Sequence, residues 1–179
     1  MEQLTVTTQD GVAYVRLQGR GTFKISKVLK RFGLSTIEQG CTKIVIDMLR
    51  CESMDSTFMG VLAGLAIRLK AGGGRVHLVN LSPRTRGLLA TLGLDHIVSA
   101  SMQGEMPAAF AGVLESGQAM ETLTAQAGTQ RETAEMMLAA HEHLVDVSAE
   151  NQLRFKDVLT FLREDIKNAD AGGEPPAGD

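Results

Sequence analysis

The sequence contains no tryptophan, one tyrosine and six phenylalanines. So few rings cannot build the stacking platforms on which single-stranded nucleic acid is held. A net charge of −3 offers no general attraction to a polyanion. Only two cysteines occur, Cys41 and Cys51, with no Cys-x-x-Cys pair and no Cys/His cluster. The usual zinc patterns are therefore absent. The run Lys43-Ile44-Val45-Ile46-Asp47-Met48 between the cysteines reads as a strand. Such a strand holds their Cα atoms beyond the ~7 Å a disulfide tolerates. Reduced thiols fit the cytosol. No apolar run approaches the ~20 residues that span a bilayer. The opening Met1-Glu2-Gln3 lacks a basic and then apolar signal region. The expectation is a cytoplasmic protein with no membrane insertion and no nucleic-acid partner.

Catalytic patterns are equally scarce. There is no GxxxxGK[ST], no GxGxxG after a strand and no GxSxG around a serine. Gly72-Gly73-Gly74 reads as a helix stop rather than a phosphate loop. His141 and His143 are two apart on a helix, so they cannot face one ligand and read as an exposed face. His77 and His96 lack a ligating partner, and Asp47, Glu52 and Asp55 read as caps and turns. No enzyme, cofactor or metal site is expected.

What is present is an ordinary folding composition: 179 residues, 44% hydrophobic and 22% charged. Charge is unevenly spread. Residues 1–109 carry 13 Lys/Arg against 8 Asp/Glu, and residues 110–179 carry 5 against 13. Two parts with different roles follow from that asymmetry. An acidic tail facing the basic Arg68, Lys70, Arg84 and Arg86 is expected to dock on its own domain or a neighbour's.

The first part alternates strands and helices. Residues 4–8 and 12–17 flank Asp10-Gly11, a hairpin signal. Gly19-Arg20-Gly21 breaks the second strand. Ile25, Val28, Leu29 and Phe32 give residues 22–39 helical spacing, which Gly33 could interrupt. Ile44-Val45-Ile46 reads as a strand covered on both faces. A helix over 58–69, a strand over 76–79 and a Ser82-Pro83-initiated helix follow, with a short final strand at Ile97-Val98. The order predicts an α/β domain with a mixed β-sheet packed by helices. After it, Thr129 and Glu132 form a capping box. One long or two medium helices run on from there, and Gly128 separates them from an earlier helix holding Met120 and Leu123. Gly172-Gly173-Glu174-Pro175-Pro176 reads as disordered. The expected division is 1–105 for the α/β domain, 106–170 for a helical extension and 171–179 for a disordered tail.

The most informative stretch is Met54-Asp55-Ser56-Thr57-Phe58-Met59-Gly60, after a buried strand and at the start of a helix. Asp55 or Ser56 makes a good N-cap. A hydroxyl exposed there is also well placed for modification, because a phosphate meets free N–H groups and the positive end of the helix dipole.

Residues about 4–99 resemble the STAS domain, and most closely the free-standing anti-sigma factor antagonists of bacteria. The carrying residues are Ile44-Val45-Ile46-Asp47, Met54-Asp55-Ser56-Thr57 and Gly60-Val61-Leu62. Gly72-Gly73-Gly74 before Val76-His77-Leu78-Val79, and Ser82-Pro83 through Leu92-Gly93-Leu94, complete the pattern. The resemblance implies a STAS-like fold with a C-terminal helical extension and a non-enzymatic role in partner switching. Its partner would be a serine-kinase anti-sigma factor, bound when the domain is unphosphorylated. A serine phosphatase would reverse the modification. The acceptor would be Ser56, with Thr57 the fallback and Met54 to Gly60 the docking segment. Phe58 and Met59 stand where the family often has glycine, and Gly19-Arg20-Gly21-Thr22 replaces its usual acidic loop. The alternative role is a STAS accessory subunit of a lipid or solute transporter, with no phosphorylation cycle. The helical tail could dock on the sheet, form a homodimer, or bind another protein.

Overall fold

The computed structural model describes residues 1–171. Strands β1 (Gln3–Gln9) and β2 (Val12–Gly21) form an antiparallel hairpin. Its turn is Asp10-Gly11, with φ of 52° and 74°. Two consecutive left-handed residues match the twist of a two-residue hairpin, which is why an Asp-Gly pair serves here. Strands β3 (Lys43–Met54), β4 (Arg75–Leu81) and β5 (Ser99–Met102) then add in parallel, and β6 (Glu121–Leu123) pairs antiparallel with β1. The sheet order is β5-β4-β3-β2-β1-β6.

Strand alternation sorts the side chains into two layers. Ala13, Val15, Leu17, Ile44, Ile46 and Leu78 join the main core. Helices α1 (Phe23–Glu38), α2 (Ser56–Ala71) and α3 (Pro83–Thr91) contribute Leu29, Leu62 and Leu89 to it. Tyr14, Val45 and Val79 point to the opposite face, where Phe110 and Leu114 of α4 (Ala108–Leu114) cover them. The double coverage expected of Ile44-Val45-Ile46 is therefore present.

Four local expectations differ from the structure. Strand β2 does not stop at Gly19. It continues to Gly21 by shifting register between Arg16 and Gln18 and between Gly19 and Arg20. Gly33 does not interrupt α1; it brings α2 close, since a Cβ there would lie 2.6 Å from Leu65. The final strand begins two residues later than expected, because Gly93 (φ 76°) leads into a short 3-10 turn over Leu94–His96. Met120 to Leu123 is not helical: Glu121–Leu123 is the edge strand β6. Residues 108–123 thus complete the sheet's second face and its edge, and the purely helical part starts later.

That part is a hairpin of α5 (Gln130–Val147) and α6 (Glu150–Ala171). The Thr129/Glu132 capping box starts it. Asn151 closes it, donating from Nδ2 to the carbonyls of Leu144 (2.7 Å) and Leu92 (3.0 Å). Helix α5 lies along α2 and α6 along α5. Met136, Ala140, Leu144, Phe155 and Leu159 merge into the main core. The tail does dock on its own domain, but by apolar burial rather than by its acidity. Among the described residues one ion pair joins it to the α/β part, Lys27–Glu132 at 2.8 Å. Both side chains are substantially exposed, and such pairs contribute little. Ala171 is still helical; the segment called disordered from Gly172 onward lies outside the described residues.

Both thiols are free, and burial pushes the Cys51 thiol up to about 11. Among the described residues no helix is long and apolar enough to cross a membrane.

Candidate functional site at the start of α2

Strand β3 ends at Met54, and the Asp55 N–H donates to the Gly21 carbonyl (2.8 Å) at the end of β2. The extended backbone of Asp55 (φ −90°, ψ 169°) lets its carboxylate turn back over the helix it precedes. Oδ1 accepts from the Phe58 N–H at 2.8 Å, and Oδ2 accepts from the Phe23 N–H at 2.8 Å. One side chain thereby caps two helices, α2 and α1, whose first N–H groups have no partner within the helix. The sequence reading of Asp55 as a cap was right for α2; its hold on α1 comes from the tertiary fold.

Ser56 opens α2, with its Oγ 2.9 Å from Nε2 of His141 on α5. The other ring nitrogen, Nδ1, is 2.7 Å from the Met137 carbonyl oxygen. A carbonyl only accepts, so Nδ1 carries the hydrogen. In the neutral ring Nε2 is then the acceptor, and the Ser56 hydroxyl donates to it. The ring also packs edge-on against Phe155, with centroids 5.0 Å apart. His141 is only 2% exposed. Its expected place on an exposed face is thus corrected: α5 turns that face onto α2.

The rest of the predicted docking segment is interior. Met54, Thr57, Phe58, Met59 and Gly60 are buried, and Asp55 and Ser56 alone keep partial exposure. Phe58 is fully enclosed, stacked so closely on Gly21 that a Cβ there would lie 2.7 Å from its ring. This is why glycine ends β2. Gly60 and Gly64, one turn apart, line the side of α2 that meets α5. A Cβ at Gly60 would collide with the Ala140 carbonyl, and one at Gly64 would lie 2.7 Å from the His143 ring. The sequence held a signal for this crossing in Gly60 and Gly64 opposite Ala139-Ala140, small residues that let helix backbones approach.

The uncovered hydroxyl expected at residue 56 is therefore half-covered, and the cover is the chain's own helix α5. His143, beside it, is held below its ordinary value chiefly by burial, with Lys30 adding to the effect.

A second polar cluster lies on the opposite sheet face. Arg16 Nε donates to Asp47 Oδ2 at 3.2 Å, and its Nη2 donates to the Leu114 carbonyl at 2.6 Å. Asp47 Oδ1 accepts from the Leu49 N–H and from Asn80 Nδ2. Arg16, held in place by Asp47, ties the end of α4 to the sheet. Among the described residues no group of three or more His, Cys, Asp or Glu could hold a metal.

Residues 4–99 match the family model described as the Mlab, STAS domain. Among solved structures, a candidate anti-sigma factor antagonist from Thermotoga maritima is 20% identical at a TM-score of 0.52, covering 62% of this chain and 91% of its own. The unphosphorylated anti-sigma factor antagonist SpoIIAA is 24% identical at a TM-score of 0.50, covering 66% and 100%. An anti-sigma factor antagonist from Mycobacterium paratuberculosis is 23% identical at a TM-score of 0.50, covering 56% and 86%. At these identities the shared property is the fold. No curated protein matches the chain. Helices α5 and α6 lie beyond the residues that the family model matches.

Proposed function

Because the chain belongs to the STAS domain family, we propose that it acts as a phosphorylatable interaction module, an anti-sigma factor antagonist in a partner-switching pathway. In this reading its partner is a serine-kinase anti-sigma factor, Ser56 is the acceptor and a serine phosphatase restores the free hydroxyl. The observation that carries the reading is the position of Ser56. It follows the Asp55 cap, begins α2 and retains exposure while Thr57 is buried behind it. Thr57 as fallback acceptor would require the first turn of α2 to unwind.

The physics of a switch is available at that point. A phosphate brings about −1.5 to −2 charges. A helix N-terminus tolerates it within the free domain. An interface packed against the same helix end would have to bury it unpaired, which costs several kcal/mol. Every 1.4 kcal/mol is about tenfold in affinity. Asp55 serves by fixing where Ser56 stands. Such a module needs no catalytic residue and no cofactor, and it works in the cytoplasm.

The test is the affinity of the full chain for a serine-kinase anti-sigma factor. Ser56→Ala should bind about as the wild type does, and Ser56→Glu should bind at least about tenfold more weakly. Equal binding by both variants contradicts the reading. A second reading is an accessory subunit of a lipid or solute transporter. It draws support from the half-covered Ser56, since a subunit that never meets a kinase needs no accessible hydroxyl.

A further inference from the structure

The Ser56 hydroxyl is engaged by the protein's own chain. We propose that the side of α2 bearing Ser56, Gly60 and Gly64 is a helix-docking surface that α5 fills in the resting state, and that a kinase reaches Ser56 only when the α5–α6 hairpin has left it. The inference rests on Ser56 being the acceptor, and it adds the element that controls access to it.

Three features carry it. The hydroxyl donates to His141, whose ring is buried between α2 and Phe155. The two glycines leave room for the α5 backbone and for nothing larger at the crossing, where Ala140 sits on Gly60. The hairpin is also an addition to the family domain, since the match ends at residue 99.

Docking and phosphorylation are mutually exclusive on geometric grounds. At 2.9 Å the Ser56 Oγ and His141 Nε2 are in direct hydrogen-bond contact, and no phosphate fits between them. In the transfer, the γ-phosphoryl group of ATP passes to Oγ, the hydroxyl proton leaves to a base of the kinase and ADP departs. The product cannot accept His141 back into its resting place. Phosphorylation therefore holds the hairpin off, and a docked hairpin resists phosphorylation to the same thermodynamic extent. Release also uncovers Met136, Ala140 and Leu144 of α5, an apolar stripe that was part of the core.

Hydrogen–deuterium exchange on the full chain tests this with no partner present. Ser56→Glu introduces a bulkier, charged side chain at the His141 contact. Gly60→Ala adds one methyl group aimed at the Ala140 carbonyl and leaves the acceptor intact; alanine also favours helix. Both variants should raise exchange across residues 130–171 by at least about tenfold while β2, β3 and β4 stay protected, and Ser56→Ala, which loses only the hydrogen bond to His141, by no more than about fivefold. With a serine-kinase anti-sigma factor and ATP, Gly60→Ala should gain phosphate at residue 56 at least about tenfold faster than wild type. Protected α5 in both variants, or an opened Gly60→Ala phosphorylated no faster than wild type, overturns the gating. An opened Gly60→Ala that takes no phosphate at Ser56 instead overturns the acceptor assignment.

Discussion

The Ser56 hydroxyl donates to His141 Nε2 across 2.9 Å, joining the start of α2 to the middle of α5. The bond links the residues that the family model matches to a helix that lies outside them. Replacing His141 with leucine keeps most of the buried volume and removes the acceptor. Loss of one hydrogen bond is worth about 1 kcal/mol, so opening of the hairpin should rise roughly fivefold. Exchange rates of the α5 amides measure that directly.

Asp55 caps two helices through two carboxylate oxygens. Asp55→Ala should lower stability by about 1–2 kcal/mol or somewhat more, since a single lost cap already costs that much. For a chain of this size each 1 kcal/mol lowers Tm by about 2–4 °C. Asp55→Asn should recover only part of the loss, because its one amide oxygen can accept from one of the two N–H groups while its NH2 faces the other donor. Thermal unfolding of the three proteins checks this, and an unchanged Tm in Asp55→Ala would assign the residue to recognition alone.

Phe58 separates packing from docking. It is fully enclosed against Gly21 and the main core. Phe58→Ala should cost about 3–5 kcal/mol of stability. Phe58→Leu should retain most of the stability and also most of the partner affinity. A Phe58→Leu protein of normal stability that fails to bind would place the ring in the interface.

The described structure also sets an acid limit. Burial first, then Lys30, holds His143 below its ordinary 6.5, with Asp146 and Glu142 opposing. Burial first, then Lys43 and Arg75, does the same to His77. A histidine lowered in the folded state is protonated earlier in the unfolded chain. Its contribution is complete above about pH 6.5 and is lost as pH falls toward the folded value. Urea midpoints should therefore fall between about pH 7.5 and about pH 5.5. His143→Gln should flatten the slope, and the early loss should appear in α5, where His143 packs on Gly64.

The alternation of Ala13, Val15 and Leu17 and the run Ile44-Val45-Ile46 made the sheet legible in the sequence, because burial on a strand leaves a period of two. Caps at Asp55, Ser82 and Thr129 located three helix starts for the same local reason. Strand β6 left no trace, since three residues at a sheet edge carry too little pattern. The true end of β2 was hidden because Gly19 and Gly21 look like breakers but serve close contacts with Met1 and Phe58. Ser56 was legible as a residue at a helix start. His141 was not, because 85 residues separate the pair and a histidine on a helix says nothing about which face is covered.

The most direct measurement of the central claim is the intact mass of the full chain after incubation with a serine-kinase anti-sigma factor and ATP, for wild type, Ser56→Ala and Thr57→Ala. The account predicts one added phosphate on wild type and on Thr57→Ala, and none on Ser56→Ala. Phosphate on Ser56→Ala that disappears in Thr57→Ala, or no phosphate on any of the three, would contradict it.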